Sequence, residues 1–186
     1  MRRAMDGGDG GRAKGARDAI AVAVIHLIEG PVGAGKSTFA FRLSRERRAP
    51  RLGLDDWMAR LFRPDRPEEG LWPWYQERKD RCIEQIWVVV EEMLDLDMDV
   101  VLELGLVQRA ARQAFYERAD AAGRELRVYL LDAPREVRLE RIRRRNEEQG
   151  ATFSMVVSDA VFEQASDAWE APDEQEIAER AIVFPA

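Results

Sequence analysis

A chain of 186 residues, 46% of them hydrophobic, is long enough to bury one real core and gives no reason to look for a second domain. Its formal charge is −6, from 29 basic against 35 acidic residues. That is the reverse of the balance by which counterion release holds proteins on nucleic acid, so such a partner is disfavoured. The single cysteine, Cys82, excludes an internal disulfide, and the lone His26 has no Cys or His cluster with which to share a metal, so a reducing cytoplasm is the simplest setting.

The first 18 residues, "MRRAMDGGDGGRAKGARD", are glycine-rich and charged, with too little apolar area to offset the entropy of ordering them. We expect a disordered tail over residues 1–18 and a single domain over residues 19–186. Residues 19–28 are apolar and follow basic residues, as in a signal peptide. No small-residue cleavage site comes next and the run is too short to span a bilayer, so no membrane association is expected and residues 21–28 read as a buried strand.

"GPVGAGKST" follows, and its Gly30, Gly35, Lys36 and Ser37 satisfy G-x-x-x-x-G-K-[ST] between that strand and a predicted helix over residues 36–47. Glycines let successive N–H groups point inward at phosphate oxygens, and the helix N-terminus adds partial positive charge. Lys36 would reach the β and γ phosphates, and Ser37 would hold Mg²⁺. Gly30, Gly33, Ala34, Gly35, Lys36, Ser37 and Thr38 are therefore the candidate nucleotide-binding residues, for ATP or another purine nucleoside triphosphate. A glycine turn that merely caps a helix is the bland alternative, but the four fixed positions coincide by accident in only about one per cent of chains this long.

A second strand over residues 51–54 runs into "DDWMARLF". A carboxylate there can take the proton of an attacking substrate hydroxyl, and one of the pair can instead cap the following helix. Asp55, nearer the strand, is the candidate base, and Asp56 is the candidate cap and a substrate-side residue. The insertion "RPDRPEEGLWPWYQERKDR" sets Trp72, Trp74 and Tyr75 beside Arg78 and Arg81. These could line a cleft for a ring-bearing substrate, but packing of the insertion onto the sheet is the reading adopted. Trp57 and Trp169 are likewise read as core.

In "RCIEQIWVVVEEML" the residues Ile83, Ile86, Trp87, Val90 and Leu94 follow helical spacing. A strand over residues 100–104 then carries Glu103, either behind the water shell of Mg²⁺ or simply as a surface glutamate. In "RAARQAFYERADAAG" the expected buried face is Ala111, Ala114, Phe115, Ala119 and Ala122, with Gly123 as the stop. A fourth strand over residues 126–131 leads to "PREVRLERIRRRN", a helix over residues 134–148 that places Arg138, Arg141 and Arg145 within one arc. Such guanidinium groups could close over the phosphates as a lid over about residues 134–158, with Arg138 against the nucleotide and Arg141 and Arg145 at the transferring group. A solvated helix of Glu/Arg pairs is the alternative. A helix over residues 159–170 and a fifth strand over residues 181–184 complete the chain. Alternation of this kind predicts a three-layer α/β sandwich on five parallel strands, with ligands at the strands' carboxyl ends.

Taken in order, "GPVGAGKST", "LDDWMARLF", "DVVLELG" with "QRAAR", "REVRLERIRRRN" and "WEAPDEQE" resemble the small P-loop kinases of the nucleoside-monophosphate-kinase-like class. Within it they resemble the "AAA domain, predicted kinase" family, related to zeta toxins and chloramphenicol phosphotransferase. The resemblance implies strand order 2-3-1-4-5, ATP and Mg²⁺ as cosubstrates, an acidic base at Asp55, lid arginines at Arg141 and Arg145, and a substrate-gripping or γ-phosphate-gripping role for Arg109. Glu103 departs from the more frequent Asp at its position. Three functions compete: a small-molecule O-phosphotransferase acting on a sugar, nucleoside or antibiotic, a kinase of nucleotide sugars or polynucleotide ends, and a non-catalytic nucleotide-dependent regulator.

Overall fold

The computed structural model describes residues 22–150, 153 and 155–185. The tail expected over residues 1–18, the start of the first predicted strand at residue 21, and residues 151, 152 and 154 of the predicted lid lie outside the described residues.

Four parallel strands form the sheet: β1 (Val24–Glu29), β2 (Arg51–Gly53), β3 (Val100–Glu103) and β4 (Glu125–Leu130), in the order β2-β3-β1-β4. β1 is buried at all six positions because it is central and covered on both faces. Its residues alternate between two cores. Ile25 and Leu27 point into the larger one, with Val100, Leu102 and Val128, while Ile28 joins Val101 and Tyr129 on the other face.

The second face is covered by helix α1 (Lys36–Arg47) through Ala40 and Leu43. The first is covered by α2 (Leu54–Leu61), by the 25-residue α3 (Leu71–Asp95) and by α4 (Arg109–Ala121). α3 buries Ile86, Trp87, Val90 and Leu94 as its spacing predicts, with Ile83 half-buried beside them. α4 buries the expected Phe115 and Ala119, with Ala111 packed beside them, but its inward face is rotated toward Arg112 and Tyr116. Arg112, Phe115, Tyr116 and Ala119 are buried, and Ala114 and Ala122 are exposed, because an ionic network described below draws Arg112 and Tyr116 under the sheet. Gly123 ends that helix at φ 65°.

α5 (Arg135–Glu148), α6 (Asp159–Asp167) and α7 (Glu174–Glu179) follow β4. The predicted fifth strand is reduced to one parallel bridge, Tyr129 to Val183, with Leu130 N–H donating to Val183 O and Val183 N–H to Val128 O, both at 2.9 Å. Ala181 sits at φ 46°, which breaks extension on one side. Pro185, which has no N–H to donate, stops pairing on the other. His26 lies buried in β1, its Nδ1 3.0 Å from the Tyr129 hydroxyl and its Nε2 3.4 Å from Asp99, and burial lowers its pKa. No described helix is long and apolar enough to cross a membrane.

Candidate functional site

Parallel register brings three strand ends to one edge of the sheet. Gly53 lies opposite Glu103, and Glu29 ends β1 at the start of the glycine loop. The loop needs its glycines for shape. At Gly30, φ is 140° and a Cβ would stand 2.1 Å from the Leu131 carbonyl oxygen; at Gly33 a Cβ would stand 2.7 Å from that of Arg138. Gly35, also left-handed, hands the chain to α1. Ala34 is buried in the loop, and Thr38 is exposed in the first turn of α1.

Lys36 curls back over this loop, its Nζ donating to the carbonyls of Gly30 and Pro31 at 2.9 Å each. Burial lowers its pKa, against the opposing fields of Glu103 and Asp55. An ammonium held among the described residues by two loop carbonyls can exchange them for phosphate oxygens. Ser37, one residue on, donates its hydroxyl to Glu103 Oε1 at 2.8 Å. Burial raises the Glu103 carboxyl's pKa, while Lys36 and the Ser37 hydrogen bond oppose the rise.

Leu54 already belongs to α2, so Asp55 and Asp56 occupy its first turn and Gly53 is the cap residue. Asp56 is therefore not the predicted side-chain cap. It pairs instead with Arg51, whose other nitrogen lies 3.7 Å from Glu103 Oε2. Asp55 is different: it is open to solvent and has no hydrogen bond or ion pair among the described residues. It lies within the fields of Lys36, Asp56 and Arg145. Although it opens outward, the protein around it displaces enough water to raise its pKa, with Lys36 and Arg145 working against that rise.

Residues 25–172 match the AAA domain family. The chain belongs to that family. No curated protein matches it significantly in sequence. Among solved structures the AAA domain is similar to a gluconokinase from Sinorhizobium meliloti 1021, with a TM-score of 0.54 at 16% identity over 88% of this chain and 81% of the other. It is similar to Chaetomium thermophilum Kti12 in complex with ADP-AlF3, with a TM-score of 0.64 at 14% identity over 87% and 88%. It also matches a chain of the Pnkp1/Rnl/Hen1 RNA repair complex, with a TM-score of 0.57 at 19% identity over 79% of this chain but only 44% of that one. At such identities the likeness is one of fold, that of the nucleotide-binding P-loop kinases.

In this AAA domain α5 rests against the glycine loop. Arg138, predicted to face the nucleotide, is buried and bonded to protein: Nε donates to Ala133 O at 3.0 Å, and Nη1 to Val32 O at 2.9 Å and to the Ser166 hydroxyl at 3.1 Å. Arg141 reaches Ala34 O at 3.4 Å and stays exposed. Arg145 lies in the fields of Asp55 and Glu103, and its Nε is buried with no hydrogen-bond partner among the described residues. The sheet edge thus brings Lys36, Ser37, Asp55, Glu103, Arg141 and Arg145 together. Arg109 stands apart, donating its backbone N–H to Glu170 at 2.7 Å and its guanidinium to Asp173.

Among the described residues no three His, Cys, Asp or Glu side chains cluster as a metal cage. Mg²⁺ needs only one or two protein oxygens when phosphates supply the rest, and the bonded pair Ser37 and Glu103 could supply them.

Two features escape sequence reasoning. One is Arg51, between Asp56 and Glu103. The other is a buried network under the loop: Arg112 donates to both oxygens of Glu176 at 2.6 and 2.9 Å, lies 3.5 Å from Glu29, and Tyr116 stands 3.2 Å from both carboxylates. The i, i+3, i+4, i+7 set 112, 115, 116, 119 fits a helical face as well as the alanines do, and it would have revealed the network had Arg been admitted as a core residue.

Proposed function

We propose that this AAA domain is an ATP-dependent kinase that moves the γ-phosphate of ATP, or of another purine nucleoside triphosphate, to a hydroxyl of a small molecule. The carrying observation is Asp55, a carboxylate without a protein partner among the described residues, electrostatically linked to the phosphate-loop lysine and to Arg145. Its neighbour Asp56 is engaged by Arg51, which leaves Asp55 as the carboxylate of the pair that is open to an incoming hydroxyl.

In this reading the acceptor oxygen bonds to the γ-phosphorus, the bond from phosphorus to the β,γ-bridging oxygen breaks, and ADP leaves. Asp55 takes the acceptor's proton. Lys36, Arg141 and Arg145 neutralise charge on the transferring group, and α5 serves as a lid that excludes water. Mg²⁺, bound through Ser37 and supported by Glu103, would neutralise the phosphates. Arg138 acts through the loop backbone rather than on the nucleotide. Arg109 would reach substrate only after leaving Asp173.

A second reading, transfer to a polynucleotide end, draws on the likeness to a chain of the RNA repair complex. The net charge of −6 opposes it.

The test is transfer of labelled γ-phosphate from ATP by the full chain to sugars, nucleosides, ring-bearing antibiotics and oligonucleotide ends. Asp55→Asn should retain ADP affinity and lose about 10²- to 10⁴-fold in turnover, and Lys36→Ala should lose nucleotide affinity. Unchanged turnover in Asp55→Asn, with the loss moving to Asp56→Asn, would reassign the base. Nucleotide binding without any transfer would leave a regulator.

A further inference from the structure

The buried network under the phosphate loop contains two carboxylates and one guanidinium. The side chains of Arg112, Glu29 and Glu176 are 1% exposed or less, and Tyr116 is buried with them. Arg112 is turned toward Glu176: its Nε and Nη2 donate to the two Glu176 oxygens at 2.6 and 2.9 Å, and its Nη1 donates to the Glu170 carbonyl at 2.7 Å. Glu29 Oε2 lies 3.5 Å from that same Nε, whose one N–H is already given to Glu176. Glu29 Oε1 has no hydrogen-bond partner among the described residues. Glu176 is therefore the carboxylate that the guanidinium compensates, and Glu29 is not.

The Tyr116 hydroxyl fits this division. It stands 3.2 Å from Glu29 Oε2 and 3.2 Å from Glu176 Oε1, yet a phenol has one hydrogen and can donate to only one of them. Both contacts become hydrogen bonds when Glu29 carries a proton: its O–H donates to the phenol oxygen, and the phenol O–H donates to Glu176. An ionised Glu29 would be a buried charge with an unpaired oxygen beside a second carboxylate. Burial and the charge of Glu176 on α7 push the Glu29 carboxyl up to about 8, against Arg112 and Tyr116 from α4 and Lys36 from α1. Arg180, 4.8 Å over the Tyr116 ring, is paired with Asp120.

Glu29 is also one peptide from the phosphate loop's lysine contact. Gly30 follows it, and the Gly30 carbonyl accepts from Lys36 Nζ at 2.9 Å, so the ammonium that would meet the phosphates touches the residue next to Glu29. A negative ligand on the loop favours the neutral form of an acid so close by.

We propose that Glu29 is a positioning residue that works as the neutral acid, tying the start of the phosphate loop through Tyr116 to Glu176 of α7, so that nucleotide on the loop and the proton on Glu29 reinforce each other. The inference rests on nucleotide binding by the loop and not on transfer to an acceptor.

The test is calorimetry of ADP with Mg²⁺ on the full chain and on Glu29→Gln at pH 7, 8 and 9, each in two buffers of different ionisation enthalpy. The native chain should bind ADP about 3- to 10-fold more weakly at pH 9 than at pH 7, beyond any change in Glu29→Gln, and should take up about half a proton more than the variant at pH 8 to 9. Titration of Lys36, Asp55 and the nucleotide is common to both proteins and cancels in that difference. Glu176→Gln frees the guanidinium for Glu29, which then ionises, so the excess should vanish there as well. A network that only held the fold together would leave the binding profiles parallel. Parallel profiles with equal proton uptake in the native chain and Glu29→Gln, or an excess that persists in Glu176→Gln, overturn this inference and leave nucleotide binding standing. No ADP binding at any pH overturns both.

Discussion

Gly53 separates Arg51 from the helix that carries Asp55 and Asp56, and a Cβ there would stand 3.1 Å from both the Arg51 guanidinium and the Asp56 carboxylate. The missing side chain leaves room for Arg51 to bridge Asp56 and Glu103, while Glu103 accepts from Ser37 with its other oxygen. Each Glu103 oxygen thus has its own partner, which fixes the carboxylate toward the expected metal side. Arg51→Ala should release that orientation and weaken Mg²⁺ affinity by about 10- to 100-fold, the usual cost of losing a support behind a metal-directed group. Mg²⁺ titration of ADP binding by calorimetry measures it. Because Arg51 is half-buried at the start of the short β2, the fold should survive. Both aspartates could be named from their place after a strand. Arg51 could not, because its partner Glu103 is 52 positions away and only the register of Gly53 against Glu103 joins them.

At the scale of elements, α5, residues 155–158 and α6 form a unit of their own. Ile142, Val157 and Phe162 make a small core, with Val32, Leu139 and Met155 packed around it. Asn146 closes the unit, its Nδ2 donating to Val157 O at 2.7 Å and its Oδ1 accepting from Val157 N–H at 3.2 Å. Val157 is buried, so removing the amide strands two polar backbone groups. Asn146→Ala should cost about 1–3 kcal/mol, confined to this unit. Amide exchange should quicken around residues 145–150 and 155–158 and stay unchanged in the sheet. If the unit is a lid, ATP hydrolysis without acceptor should also rise as water enters. The arginine arc of α5 was legible from its periodicity. That Arg138 would be consumed by Val32, Ala133 and Ser166 was not, since those partners come from three other segments.

Across the whole molecule, the C-terminal segment is attached by charge more than by pairing. Its predicted strand contributes one bridge, whereas Arg112 fastens α4 to Glu176 of α7, to the Glu170 carbonyl at 2.7 Å and to Glu29 beneath the phosphate loop. The alternation of strands and helices made the sandwich readable. Glu29 fell between the predicted strand and the glycine motif, and the network stayed hidden because its members span residues 29 to 176. Arg112→Ala should cost about 3–5 kcal/mol in urea unfolding, because it leaves the buried Glu176 carboxylate without the guanidinium that donates to both its oxygens. The network also ties stability to pH. Burial raises the Glu29 carboxyl from 4.5 to about 8, with Arg112 and Tyr116 opposing, and its Oε1 has no hydrogen-bond partner among the described residues. Between those values the native state keeps a proton that the unfolded chain has released. This contribution to stability is therefore complete below pH 4.5 and is lost as pH rises to about 8. Glu29→Gln cannot ionise, and its amide nearly matches the protonated acid in shape. Urea midpoints from pH 5 to 9 should fall more steeply for the native chain than for Glu29→Gln, with the variant the more stable of the two at pH 9. Parallel curves would mean that Glu29 is ionised throughout and that Arg112 alone satisfies both carboxylates.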